Sequence, residues 1–539
     1  MQTRSPTKRP HRSRLAQASF FGEGGLLSQA LPGYEVRPAQ ELLAQAVERV
    51  LHEGGLLLAE AGTGTGKTLA YLYPAARLDQ RVVVSTGTKN LQEQLVHKDI
   101  PLLSRALGRR LRVAVMKGRG NYLCRARLRS FLRAGTFSKS EEIPLFRRVE
   151  RWARSTRTGD RAEIRDLPDR IEFWREISAA SEGCIGGACS DLEDCFVTRM
   201  RLNATAADIV IVNHHLLCAD LAVKDESQGQ VIPRYDAVIL DEAHAVEDVA
   251  TQYFGTHVSS HRVDDLCHDV ERELGAMRRV DTAIVAAERS AREHARRFFD
   301  LIENEGGRRL LPEWQSKAAA EASEALIARL KGLSAALLAA EEPSEMLGAL
   351  ATRAQALAEE TRFVLDADNE EFVYFVETRG RGVFVRAQPI DVSASLRELL
   401  FARVRAAVLT SATLAEEGAF TYLKARLGVE PTEELILDSH FDYARQATLY
   451  VPRGMPDPRS PLFVERVVEE TARLLGLSRG RAFVLFTSYA NMHAVAERLA
   501  DAIPYPMLVQ GEAPKAVLLE TFRETPGAVL LATASFWQG

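Results

Sequence analysis

Ala61-Gly-Thr-Gly-Thr-Gly-Lys-Thr68 is the stretch from which the rest of the chain is read. It follows an apolar run, Gly55-Leu-Leu-Leu-Ala-Glu60, and opens a helical pattern. A strand entering a glycine-rich turn that ends in Gly-Lys-Thr is a phosphate loop. The strict pattern begins with glycine, and Ala61 stands in that place, so the match is to the relaxed form. Gly62, Gly64 and Gly66, spaced by Thr63 and Thr65, let backbone N–H groups turn inward around phosphate oxygens. The helix that follows adds its partial positive charge. Lys67 is placed to reach the β- and γ-phosphates, and the Thr68 hydroxyl to ligate Mg²⁺.

Outward from this loop the chain alternates short apolar strands with helices. Arg81-Val-Val-Val-Ser-Thr86 and Tyr235-Asp-Ala-Val-Ile-Leu240 read as buried parallel strands, which makes the fold class α/β. The second leads into Asp241-Glu-Ala-His244. The end of a parallel strand faces the phosphate loop. Asp241 is therefore expected to hold Mg²⁺ through water, and Glu242 to orient or deprotonate an attacking water. His244 lies further along and is expected to sense the γ-phosphate. The two motifs together predict a site that binds and hydrolyses ATP.

The 539 residues are too many for one core and predict about three to five folding units. Hydrophobic residues make up 46% and charged residues 26%, an ordinary soluble composition. No run approaches the ~20 apolar residues that span a bilayer. The basic N-terminus (Arg4, Lys8, Arg9, Arg12, Arg14) lacks the apolar core of a secretory signal, so residues 1–19 read as a flexible tail of a cytoplasmic protein. The net charge of −4 excludes a uniformly basic nucleic-acid binder. Yet eleven Lys or Arg and no acid lie between Arg105 and Ser140, which predicts a phosphate-binding surface. Tyr122 and Phe131 in that run are candidates for base stacking, although aromatics at such positions are more often core. From about Gly255 to Thr361, Ala, Glu, Arg and Leu at helical spacing predict a mostly helical insertion. Strand patterns return at 372–376, 382–385 and 406–409, and a second α/β unit is expected from about Pro431, with strands at 482–486 and 528–532.

Six cysteines without a signal sequence argue against disulfides. Cys124, Cys184, Cys189 and Cys195 all lie between the phosphate loop and Asp241. Four thiolates suit a 4Fe–4S cluster. On spacing alone structural zinc, or no metal at all, stays open, although zinc sites usually show tight Cys pairs on both sides and only one tight cluster exists here. Cys218 and Cys267 read as core.

With both ATP motifs placed, the chain from about Phe20 to Gly539 resembles the DinG/XPD group of superfamily 2 helicases. Tyr34-Glu-Val-Arg-Pro-Ala-Gln40 is similar to the group's entry motif, which implies that Gln40 reads the adenine. Ser85-Thr-Gly-Thr88 with Leu91 resembles motif Ia, which implies contact with the DNA backbone. Val212-Asn-His-His-Leu216 precedes the DEAH box as it does in this group. Leu409-Thr-Ser-Ala-Thr-Leu414 resembles motif III, Phe486-Thr-Ser-Tyr489 motif IV, and Ala532-Thr-Ala-Ser-Phe-Trp-Gln-Gly539 motif V.

The resemblance implies two RecA-like domains. The first would comprise residues 20–108, 206–250 and 385–430, with an iron–sulfur domain at 109–205 and a helical arch at 251–384 inserted into it. The second would comprise 431–539. It further implies that the four cysteines hold a 4Fe–4S cluster, that single-stranded and forked DNA is the partner, threading between the two insertions, and that a monomer moves 5′ to 3′ in DNA repair. No nuclease signature precedes the phosphate loop. The family continues past motif V to an arginine-bearing motif VI, and this sequence stops at Gly539. The expectation is therefore an incomplete motor, with ATP binding retained and hydrolysis weakened. Two other readings stay open: a catalytically silent single-strand-binding protein, and a DEAH-type RNA helicase.

Overall fold

Continuous runs of β-branched and aliphatic residues, buried on both faces, build the central sheet of the computed structural model. The structure describes residues 20–533 and 536, apart from 136, 138, 165–166, 169–170, 180–183, 185, 228–229, 278–280, 304–306, 311–315, 381 and 514. The expected N-terminal tail and most of motif V beyond Thr533 lie outside the described residues.

The sheet has seven parallel strands: β1 (Gly55–Ala61), β2 (Val82–Thr86), β3 (Val113–Val115), β4 (Ile209–Asn213), β5 (Ala237–Asp241), β10 (Ala406–Ser411) and β11 (Glu433–Leu437), in the order β11-β1-β10-β5-β2-β4-β3. The chain leaves this sheet twice, between β3 and β4 and between β5 and β10. The register sets Thr410 of β10 beside Asp241 of β5, Ser411 beside Glu60 of β1, and Thr86 of β2 beside Asn213 of β4. Five strand ends that carry sequence motifs therefore meet at one crest, where parallel α/β sheets bind ligands.

The boundary expected at 431 is corrected by β11, which pairs with β1 and carries the first sheet to Leu437. The long insertion between β5 and β10 is also less purely helical than its composition suggests. Its helices Ser260–Ala276, Thr282–Ile302, Lys317–Leu338 and Glu345–Asp366 share one core with an antiparallel sheet. That sheet is ordered β6 (Thr256–Ser259), β9 (Gly382–Pro389), β8 (Phe372–Arg379), β7 (Gly307–Leu310). Burial of alternate residues Val383, Val385 and Ala387 carries β9 past the expected limit of 384.

A second compact unit takes in residues 136–156, 160–176 and 442–539. Its three parallel strands, β12 (Ala482–Phe486), β14 (Val529–Thr533) and β13 (Met507–Val509), lie in that order. Met492, Val495 and Leu499 of the helix Tyr489–Leu499 pack with Val529 and Leu531. The expected iron–sulfur domain is not one unit: Cys124, Cys184, Cys189 and Cys195 belong to the first, and the aromatic cluster Phe137, Phe146 and Phe173 to the second.

Candidate active site

Ala61 ends β1, and the helix Lys67–Ala75 begins after Gly66. Between them Gly64 and Gly66 take φ of 85° and 82°, a region that favours glycine and that the inward turn of the loop requires. Thr65 Oγ1 donates to the Gly62 carbonyl at 2.7 Å and braces the loop. Lys67 Nζ lies 3.2 Å from the Ala61 carbonyl, so its charge sits at the loop mouth. Gln40 is buried, and its amide donates to the Gly66 carbonyl at 2.9 Å while its oxygen lies 2.8 Å from the Tyr34 hydroxyl. The entry motif is thus fastened to the loop itself.

Two loop contacts were invisible in the sequence. Ser439 Oγ donates to the Thr63 carbonyl at 3.3 Å. A side chain at Gly64 would meet the Phe441 ring within 2.5 Å. Both residues follow β11, whose place beside β1 carries them to the loop.

Asp241 ends β5 with its carboxyl almost wholly enclosed. Tyr71 of the loop helix donates to Oδ2 at 2.9 Å, and Oδ1 is buried without a hydrogen-bond partner. Burial, with the neighbouring Glu242 charge adding to it, pushes this carboxyl up to about 6. An enclosed carboxylate oxygen with no donor, beside the phosphate loop and Thr68, is what a hard cation needs. The residues present therefore fit Mg²⁺.

Glu242 has a left-handed backbone, φ 59° and ψ 49°. For a residue other than glycine that conformation costs of order 1–3 kcal/mol and persists only when neighbours enforce it. Two chains of hydrogen bonds do so. Ser411 Oγ donates to Glu242 Oε2 at 2.7 Å and lies 2.8 Å from His244 Nδ1. With its proton on the carboxylate bond, Ser411 accepts from His244 Nδ1–H. On the other side His214 Nε2 lies 3.3 Å from the Glu242 carbonyl, and its Nδ1 lies 2.7 Å from Ser85 Oγ. A carbonyl only accepts, so Nε2 carries the hydrogen and Ser85 donates to Nδ1. Full burial pushes the imidazole down to about 4, which keeps it neutral. Glu60 completes the crest by accepting from the Leu414 and Ala415 N–H groups at 2.6 and 2.7 Å, fixing the turn after β10.

Three comparisons bear on this arrangement. Residues 38–130 match a family model described as DEAD/DEAH box helicase, and residues 471–539 one described as helicase C-terminal domain. ATP-dependent DNA helicase YoaA of Haemophilus influenzae is 34% identical over 97% of this chain and 82% of that protein. ATP-dependent helicase DinG of Mycobacterium tuberculosis strain H37Rv is 30% identical over 95% of this chain and 80% of that protein. The chain belongs to the YoaA/DinG family of ATP-dependent DNA helicases. A solved XPD helicase chain overlays 93% of this chain and 81% of its own length at 14% identity, with a TM-score of 0.49.

In this helicase chain two arginines lie near the four inter-motif cysteines. Arg129 lies within electrostatic reach of Cys124 and Cys189, and Arg201 of Cys184 and Cys195. Cys124 and Cys195 stand at the N-caps of the helices Arg125–Ala134 and Phe196–Thr205. Burial raises the Cys124 thiol, against backbone N–H groups that favour its thiolate. Among the described residues no three His, Cys, Asp or Glu side chains converge on a metal position. The donor chemistry suits a thiolate-bound cluster, and the side chains as placed do not enclose one.

The basic run is less available than its composition implied. Arg112 pairs with Asp208, Lys117 with Glu93, and Arg129 with Asp191, all acids from outside the run. Tyr122 and Phe131 are buried as core residues, and so are Cys218 and Cys267, whose thiols burial pushes up to about 12. In the second unit Gln510 donates to the Tyr489 hydroxyl of motif IV at 2.8 Å and accepts from the Thr533 N–H of motif V at 2.7 Å. No helix among the described residues is long and apolar enough to cross a membrane.

Proposed function

We propose that this cytoplasmic chain couples ATP hydrolysis to 5′ to 3′ movement along single-stranded DNA and to unwinding of forked duplex, in the service of DNA repair. The observation that carries the reading is the crest itself, where the phosphate loop, an enclosed carboxylate and a buttressed Glu242 converge. The name of the YoaA relative supplies DNA as the track.

Lys67 and the loop N–H groups bind the β- and γ-phosphates, and Gln40, held to Gly66, faces the adenine. Thr68 and the Asp241 carboxylate would hold Mg²⁺, which neutralises phosphate charge when bound. Glu242 orients the attacking water and takes its proton at the carboxylate. Ser411 and His244 hold that carboxylate in one rotamer, so that hydrolysis and the position of β10, which ends in Ser411, change together. Cys124, Cys184, Cys189 and Cys195 would hold a 4Fe–4S cluster, which fastens the inserted segment when bound.

The test is ATP turnover with and without single-stranded DNA, beside Lys67→Ala, together with strand displacement on forks tailed at either end. Turnover should rise with DNA and fall about a hundredfold or more in the variant. The 5′-tailed fork should open. Turnover indifferent to DNA, or opening of 3′-tailed forks instead, sinks the proposal.

A further inference from the structure

The second hydrogen-bond chain at Glu242 runs away from the ATP site and ends in the segment that resembles motif Ia. Ser85 and Thr86 finish β2 fully buried, and Gly87 and Thr88 continue it at the crest. His214 is fully buried between Ser85 and Glu242, bonded to both through opposite ring nitrogens. Gly87 presses on the same place: a Cβ built there would lie 3.5 Å from the Glu242 Cβ and 4.0 Å from His214 Cδ2. The carbonyl that His214 holds belongs to a residue with φ of 59°, so it needs an external partner to keep its orientation. A rigid ring with a hydrogen-bonding atom at each end is a spacer: displacement of Ser85 is passed to the Glu242 backbone with little loss.

We propose that His214 is a positioning residue that transmits DNA contact at Gly87 and Thr88, by way of the adjoining buried Ser85, to the carboxylate of Glu242, and so sets how far DNA accelerates ATP hydrolysis. This rests on the DNA-motor reading above. His214 touches neither nucleotide nor DNA; it acts through the Glu242 main chain. The link works by hydrogen bonds at both ends of a neutral ring and needs no proton to move.

The experiment measures kcat and KM for ATP, with and without saturating oligo(dT), in the wild type, His214→Ala, His214→Gln and Ser85→Ala. Thermal melting and oligo(dT) affinity without nucleotide are followed in each. In His214→Ala the ratio of stimulated to unstimulated kcat should fall about five- to tenfold, with KM for ATP within about twofold of wild type. His214→Gln, whose amide can donate to the Glu242 carbonyl while its oxygen accepts from Ser85, should recover part of the ratio. Ser85→Ala, a smaller excision, should lower the ratio too and carries the test if His214→Ala melts early. Equal falls in both rates, leaving the ratio unchanged in His214→Ala and Ser85→Ala, overturn the proposal and leave the motor reading standing. A wild type that DNA does not stimulate overturns both.

Discussion

At the scale of single residues, the cost of the site is concentrated at Asp241. Burial moves its carboxyl from an ordinary 3.8 to about 6, so between those values the folded chain holds a proton that the unfolded chain has released. Stability from this group is therefore present at low pH and lost as pH rises through about 6. At pH 7.5 the metal-free fold carries a buried charge that a cation would offset. Asp241→Asn should raise the melting temperature of the metal-free protein at pH 7.5 and leave it nearly unchanged at pH 4. It should also erase any stabilisation by Mg²⁺ with ADP. Equal melting of variant and wild type at pH 7.5 would show that the carboxylate is solvated after all. The residues at this crest were legible unevenly. Lys67, Thr68, Asp241 and Glu242 sit in motifs whose spacing states their chemistry. Ser411 bonds to a carboxylate 169 positions away and His214 to a carbonyl 28 positions away. Such pairings arise from strand order, which no local pattern records.

At the scale of elements, burial on both faces is what made strands readable. Val82–Thr86 and Ala237–Asp241 are buried throughout, and their apolar runs, residues 82–84 and 237–240, show in the sequence. The edge strand Glu433–Leu437 alternates in exposure, begins with two acids, and ties down through Glu433 to Arg49 and Glu434 to Lys424. Its polar half hid its membership of the first sheet. The four-residue strands Thr256–Ser259 and Gly307–Leu310 are too short for a period-2 signal and form because longer neighbours offer them a ladder. The helices of the same insertion are pinned by a polar contact as well as by their core. Arg353 of Glu345–Asp366 donates to Asp269 of Ser260–Ala276 at 2.8 Å, with both side chains more than nine-tenths buried. Removing one member of such a pair leaves the other charge enclosed. Arg353→Ala should cost about 3 kcal/mol in urea unfolding of this segment. A loss under about 1 kcal/mol would mean that Arg272, the second partner of Asp269, carries the charge alone.

At the scale of the whole molecule, the chain interrupts one sheet twice, so residues that share a crest are far apart in sequence, and the longer interruption has a core of its own. Sequence order does not record how such interruptions divide in space: the stretch 109–205 reads as one cysteine-bearing domain, whereas residues 136–156 and 160–176 group with the second unit. Charge shows the same difference between sequence and space. Eleven cations without an acid look like an open phosphate surface, until Asp208, Glu93 and Asp191 arrive from elsewhere to claim three of them. Each cation that neutralises a DNA phosphate releases counterions and steepens the salt dependence of binding, by about 0.7 in the logarithmic slope on single strands. Arg133 is exposed on the helix Arg125–Ala134, while Arg112 already spends its fork on Asp208. Arg133→Gln should therefore flatten the slope for oligo(dT) by about 0.7, and Arg112→Gln should leave it unchanged. Fluorescence anisotropy across a salt series separates the two. If both variants flatten the slope equally, the ion pair with Asp208 opens in the complex and composition was the better guide. If neither does, the DNA path avoids this run.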